Sequence, residues 1–117
     1  MKRILIIDDD IVLCEELAEM LKAEGFDVAF ASDSQRGEAM TRCLDFDVLL
    51  LDSKMPAVTG MEILGRMKAE SVKKKVIMIT GNPTAAYDLE ASGLQQIVRT
   101  VLPKPIDFPL LLQKINS

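Results

Sequence analysis

Arg3-Ile4-Leu5-Ile6-Ile7-Asp8-Asp9-Asp10 is the stretch that decides the fold of this 117-residue chain. The apolar run has no polar alternation and is too short for a buried helix, so it reads as a strand covered on both faces. It stops on three consecutive acids. Three further runs behave alike: Val48-Leu49-Leu50-Leu51 stops at Asp52, Val76-Ile77-Met78-Ile79 stops at Thr80, and Thr100-Val101-Leu102 leads into Pro103-Lys104-Pro105. Strands hidden on both faces belong to parallel sheets, and an open parallel sheet binds ligands beyond the carboxyl ends of its strands. Asp8, Asp9, Asp52, Thr80 and Lys104 are therefore expected at one sheet edge, as a set of carboxylates, a hydroxyl and an ammonium.

The segments between the runs carry helical periodicity. After Asp10, which is placed to cap a helix, the stripe Leu13, Leu17, Met20 and Leu21 runs to Gly25. Phe26 to Phe30 alternates and reads as a second strand near an edge. Ser32-Asp33-Ser34 offers caps for a weaker helix through Leu44. Met55-Pro56 lies in the loop after Asp52, and a helix from Gly60 to Glu70 follows with Met61, Leu64 and Met67 on one side. Asn82 is expected to cap the next helix with Pro83 in its first turn, stopping near Gly93. A last helix starts at Asp107 and carries Phe108, Leu111, Leu112 and Ile115. Strand and helix alternate five times, which predicts an α/β fold: a doubly wound parallel sheet with helices on both faces.

Composition bounds the rest. The length suits one domain over residues 1–117, and the 49% hydrophobic content supplies one core. Eighteen acidic against fourteen basic residues give a net charge of −4, which disfavours direct binding of nucleic acid or an anionic membrane. The absence of His, together with the spacing of Cys14 and Cys43, excludes a structural zinc site and any His-based triad. Both cysteines are expected to be buried, reduced thiols. Lys73-Lys74-Lys75 is expected to be a solvated turn before a strand. No apolar run reaches membrane-spanning length and the start lacks a signal-peptide pattern, so a cytoplasmic protein is expected.

Each candidate residue has a plain structural reading, and Asp10 is better explained as a helix cap than as a ligand. Two adjacent acids directly after a buried strand are costly for structure alone, since clustered like charges demand a cation or a proton. The chemistry that uses the whole set is phosphoryl transfer to a carboxylate. An Asp acts as nucleophile, magnesium takes oxygen ligands and neutralises the acids, and a lysine and a hydroxyl meet the phosphoryl oxygens.

In these motifs the chain resembles the receiver domain of two-component response regulators. The resemblance rests on Ile-Ile-Asp-Asp-Asp, Leu-Leu-Leu-Asp-Ser-Lys-Met-Pro with Gly60 beyond it, Ile-Thr-Gly, and Pro-Lys-Pro, in that order over nearly the whole length. It implies a flavodoxin-like sheet of order 2-1-3-4-5 and a phosphoacceptor switch loaded by a sensor histidine kinase or phosphotransfer protein. By the same resemblance Asp52 aligns with the phosphoacceptor, and Asp8 and Asp9 with the magnesium-holding acids. Lys54 stands where the family supplies a backbone carbonyl to the metal. Thr80 aligns with the switch hydroxyl and Lys104 with the phosphoryl-pairing lysine, followed at Pro105 by a bond that is usually cis. Pro56 and Gly60 match structural positions of the site. Output passes to a C-terminal domain or to a downstream protein.

Three positions depart from the pattern. Val101 replaces the usual Tyr or Phe, the segment around Gln95-Gln96-Ile97 looks longer, and Thr59 stands where Asp or Asn is frequent. The alternative function is an Asp-nucleophile phosphotransferase or hydrolase for a small substrate. The dehalogenase-type loop would need a second Asp where Asp52-Ser53-Lys54 has lysine. A nucleotide or flavin binder would need a glycine-rich phosphate loop where this chain has three acids.

Overall fold

A computed structural model describes residues 2–117. Five strands, β1 (Arg3–Ile7), β2 (Asp27–Ala31), β3 (Val48–Asp52), β4 (Lys75–Thr80) and β5 (Thr100–Pro103), pair in parallel in the order 2-1-3-4-5. Helices α1 (Ile11–Ala23), α2 (Ser34–Cys43), α3 (Gly60–Ala69), α4 (Ala85–Ala91) and α5 (Phe108–Asn116) alternate with them. The inner stretches of β1, β3 and β4 are apolar because each face is covered. Leu5, Ile7, Leu49, Leu51, Val76 and Met78 face one core with Ile63, Leu64 and Leu89, while Ile4, Ile6, Leu50, Ile77 and Ile79 face the other with Leu17, Leu21, Leu111 and Ile115. Burying each such Leu or Ile contributes about 1.5–3 kcal/mol, which fixes the register and with it the positions of the strand ends.

Helix starts follow the caps. Asp10 accepts from the Leu13 amide, Asp33 from Arg36 and Asp107 from Leu110. Thr59 forms a reciprocal capping box with Glu62, so Thr serves that position well. Gly25 and Gly93 sit at positive φ after α1 and α4, as helix-ending glycines do.

Several expectations are corrected. The helix expected to open at Asn82 begins at Ala85, because the Asn82 side chain accepts from the Thr84 amide and hydroxyl, and this local turn competes with helix entry. The buried stripe of α1 is Cys14, Leu17, Ala18 and Leu21, with Met20 exposed. Cys43 is exposed, since it lies in the last turn of α2 facing away from the sheet; only Cys14 is buried. Lys75 is no turn residue. It opens β4 and its ammonium donates to the carbonyls of Lys114, Ile115 and Ser117, compensating the negative end of α5. Lys74 pairs with Asp45 and lies over the Phe46 ring.

Candidate functional site

The carboxyl ends of β1, β3, β4 and β5 bring Asp8, Asp9, Asp52, Thr80 and Lys104 to one edge. Asp8, Asp9 and Asp52 each offer a carboxylate oxygen, and these oxygens all lie within 4.8 Å of one another. Asp8 is wholly buried and Asp52 nearly so, while Asp9 is exposed. Asp8 Oδ1 accepts from the Asp10 amide at 2.9 Å, which orients the carboxylate. Lys104 Nζ lies 2.8 Å from Asp8 Oδ2 and 3.6 Å from Asp52 Oδ1. At the shorter separation the Lys104 ammonium directly compensates the buried Asp8 Oδ2.

Charge crowding sets the proton affinities. Burial, and then the field of Asp8, push the Asp52 carboxyl up to about 6, against the opposing pull of Lys104 and of the Lys54 backbone amide. Burial works to lower the Lys104 ammonium, but Asp8 and Asp52 together outweigh it and hold the group above its ordinary value. Burial and the field of Asp8 likewise push the Cys14 thiol up to about 12. The protonated thiol donates to the Asp8 carbonyl at 3.2 Å and serves the loop rather than any reaction.

An all-oxygen set of three clustered carboxylates facing the Lys104 ammonium fits a hard cation such as magnesium. Thr80 and Lys104 share with Asp52 a cleft of about 410 Å³, ample for a phosphoryl group. Lys54 is exposed at its rim.

The loop between β3 and α3 is held from two sides. A Cβ on Gly60 would stand 2.3 Å from the Asp52 carbonyl oxygen, so only glycine lets α3 start against the strand end. The Pro56 carbonyl accepts from the Ser34 hydroxyl, and Ala57 turns the chain at a φ of 70°. The Lys104–Pro105 peptide is cis. Two contacts escaped the sequence reading: the Ser34 anchor, and a buried hydroxyl pair between Ser53 and Thr80. The signal for the second was Ser53 itself, a polar residue continuing a buried strand beside the one that ends in Thr80.

Comparison with known proteins agrees with this geometry. The family model for the response regulator receiver domain matches residues 4–116. A response regulator receiver protein of an Anaeromyxobacter species is 36% identical over 112 residues, 96% of this chain and 46% of that protein. The chain spans about half the length of the curated relatives it matches. Among solved structures, a receiver domain protein from Methanospirillum hungatei is 31% identical with a TM-score of 0.88, covering 99% of this chain and 91% of that one. The response regulator TrrA of Thermotoga maritima, solved in complex with Mg2+–BeF, is 27% identical with a TM-score of 0.87, over 99% and 97%. With a shared fold and a family match over almost every residue, the chain belongs to the response regulator receiver domains, the phosphoacceptor switches of two-component signalling.

Proposed function

We propose that Asp52 is the phosphoacceptor of this receiver, loaded from the phosphohistidine of a sensor kinase or phosphotransfer protein in a magnesium-dependent reaction. The observation that carries the reading is the placement of Asp52 beside a pair of acids and an ammonium, in a cleft wide enough for the incoming group. An Asp52 oxygen attacks phosphorus, the bond to the donor imidazole breaks, and an acyl phosphate forms. Lys104 meets the phosphoryl oxygens with its ammonium, and the Thr80 hydroxyl donates to another of them. Asp8, Asp9, Asp52 and the Lys54 carbonyl would hold magnesium, whose positive charge would let an anionic nucleophile meet an anionic phosphoryl group. Hydrolysis reverses the state when water attacks phosphorus and frees the carboxylate, so the chain assists its own loading and unloading while acting as a switch.

Ile11 and Val12, 51% and 60% exposed in the turn of α1 that follows the acids, offer apolar surface to the partner. No helix among the described residues is long and apolar enough to cross a membrane. The proposed setting is the cytoplasm, with residues 1–117 acting as a receiver domain and output passing to a C-terminal domain or a separate protein. Incubation with acetyl phosphate and magnesium should add one phosphoryl group by intact mass, and a chelator should abolish the gain. A chain that gains none, or gains it equally under chelation, would overturn the reading.

Lys54 should govern the lifetime of the product. Its side chain is exposed at the rim of the cleft, where an attacking water would enter, whereas its part in metal binding would be through the backbone, which any residue provides. Lys54→Ala should speed loss of the phosphoryl group several-fold and leave magnesium affinity within about two-fold of wild type, as suits a change that spares the oxygen ligands. A large loss of magnesium affinity in a titration would show that the loop geometry is wrong.

Output should travel through backbone rather than an aromatic side chain. Val101 is half-buried at a small cavity of about 350 Å³ that it shares with Thr80, Gly81, Pro83 and Ala85. A β-branched side chain is stiff at χ1 and sweeps little volume. The Asn82 amide, by contrast, is bonded to Thr80 Oγ1 at 2.9 Å, so a shift of the hydroxyl pulls the loop with it. A structure with beryllofluoride should show main-chain displacement at Gly81–Thr84 with the Val101 rotamer unchanged. A static loop with a flipped Val101, or with Tyr87 swung inward from its exposed position, would refute this route.

A further inference from the structure

Ser53 follows Asp52 directly and is 5% exposed; Thr80, at the end of the neighbouring strand, is 4% exposed. Because β3 and β4 pair with Asp52 opposite Ile79, the next residue of each strand falls side by side, and the two hydroxyl oxygens lie 2.6 Å apart. Both backbones are tied down: the Ser53 carbonyl accepts from the Gly60 amide at 3.2 Å and the Thr80 carbonyl from the Lys104 amide at 2.8 Å. Thr80 Oγ1 also accepts from the Asn82 amide. A threonine hydroxyl has one proton and two acceptor positions. One acceptor position is taken by Asn82, and Ser53 engages either the proton or the other.

We propose that Ser53 is a positioning residue of the switch: its hydroxyl anchors Thr80 in the resting conformation and competes with a phosphoryl group on Asp52 for it. The inference rests on the reading of Thr80 as the hydroxyl that meets the phosphoryl oxygens. When Thr80 turns toward Asp52, the hydroxyl pair breaks and a buried Ser53 oxygen is left without its partner, which opposes the change. Ser53 thereby sets how much of the phosphorylated protein adopts the active arrangement. Removing the Ser53 hydroxyl costs the resting state a hydrogen bond and removes that penalty from the active one. Stability and affinity for a phosphoryl mimic should then move in opposite directions, which a merely structural serine would not produce.

The test is a calorimetric titration with beryllofluoride in saturating magnesium. Ser53→Ala should tighten binding about two- to ten-fold, the range a single net hydrogen bond supplies, while the melting temperature falls. In a Thr80→Ala background the same substitution should change affinity by less than about two-fold, because the coupling partner is gone. Ser53→Cys replaces the hydroxyl with a larger and weaker-donating thiol and should tighten binding in the same direction, carrying the test if the alanine variant does not fold. Unchanged affinity in the folded Ser53 variants, or equal tightening without Thr80, overturns the anchor alone. A wild-type protein that takes up no beryllofluoride overturns the anchor together with the phosphoacceptor reading beneath it.

Discussion

Asp52→Asn should gain no phosphoryl group from acetyl phosphate and magnesium, its rate falling by at least about a thousand-fold, as losses of a nucleophile do. The acids at this edge are not equivalent. Asp8 is wholly buried, with one oxygen committed to the Asp10 amide and the other against Lys104. Asp9 is exposed, toward the outer side of the cluster. Asp52 alone lines the cleft that Thr80, Lys54 and Lys104 also line, so a phosphoryl group attacked by its carboxylate has the ammonium and the hydroxyl within reach. Asparagine keeps the volume and loses the anionic oxygen, so the fold should survive while the nucleophile does not. Intact mass after incubation checks it. A variant that still gains one phosphoryl group under those conditions would sink the assignment.

How much of this was legible in the sequence divides along a physical line. Buried parallel strands write themselves as uninterrupted apolar runs, so Ile4–Ile7 and Val48–Leu51 were readable, and so was the polar residue at which each run stops. Gathering of the five site residues at one edge follows from that alone; their roles came from the resemblance. What escaped depends on neighbours distant in sequence. The Ser53–Thr80 pair needs the register of β3 on β4, and the Lys75 contacts need the C-terminus of α5 to arrive beside β4. The late start of α4 is a different failure. Asn82 is as good a turn former as a cap, and the competition was decided by Thr84, whose amide and hydroxyl both point at the Asn82 oxygen.

Without magnesium, Asp52→Asn should be more stable than wild type near about pH 7.5, and the margin should shrink toward about pH 4.5. The folded protein holds the Asp52 proton up to about 6, whereas the unfolded chain releases it near 3.8. Between those values the native state binds more protons, so stability falls as pH rises through the window and the loss is complete above it. The span from 3.8 to about 6 corresponds to at most about 3 kcal/mol of destabilisation at neutral pH. An amide at this position carries no charge to desolvate and does not repel Asp8. Magnesium should offset the same penalty in the wild type by binding only the folded state. At ten times its Kd it contributes about 1.4 kcal/mol, or about 5 °C in a domain of this size. Asp9→Ala removes one of the three clustered carboxylates and should abolish most of that rise. Thermal melts of the three proteins at both pH values, with and without millimolar magnesium, separate the effects. An Asp52→Asn margin that does not change with pH would remove the raised carboxyl, and equal magnesium responses in wild type and Asp9→Ala would remove Asp9 from the ligand set.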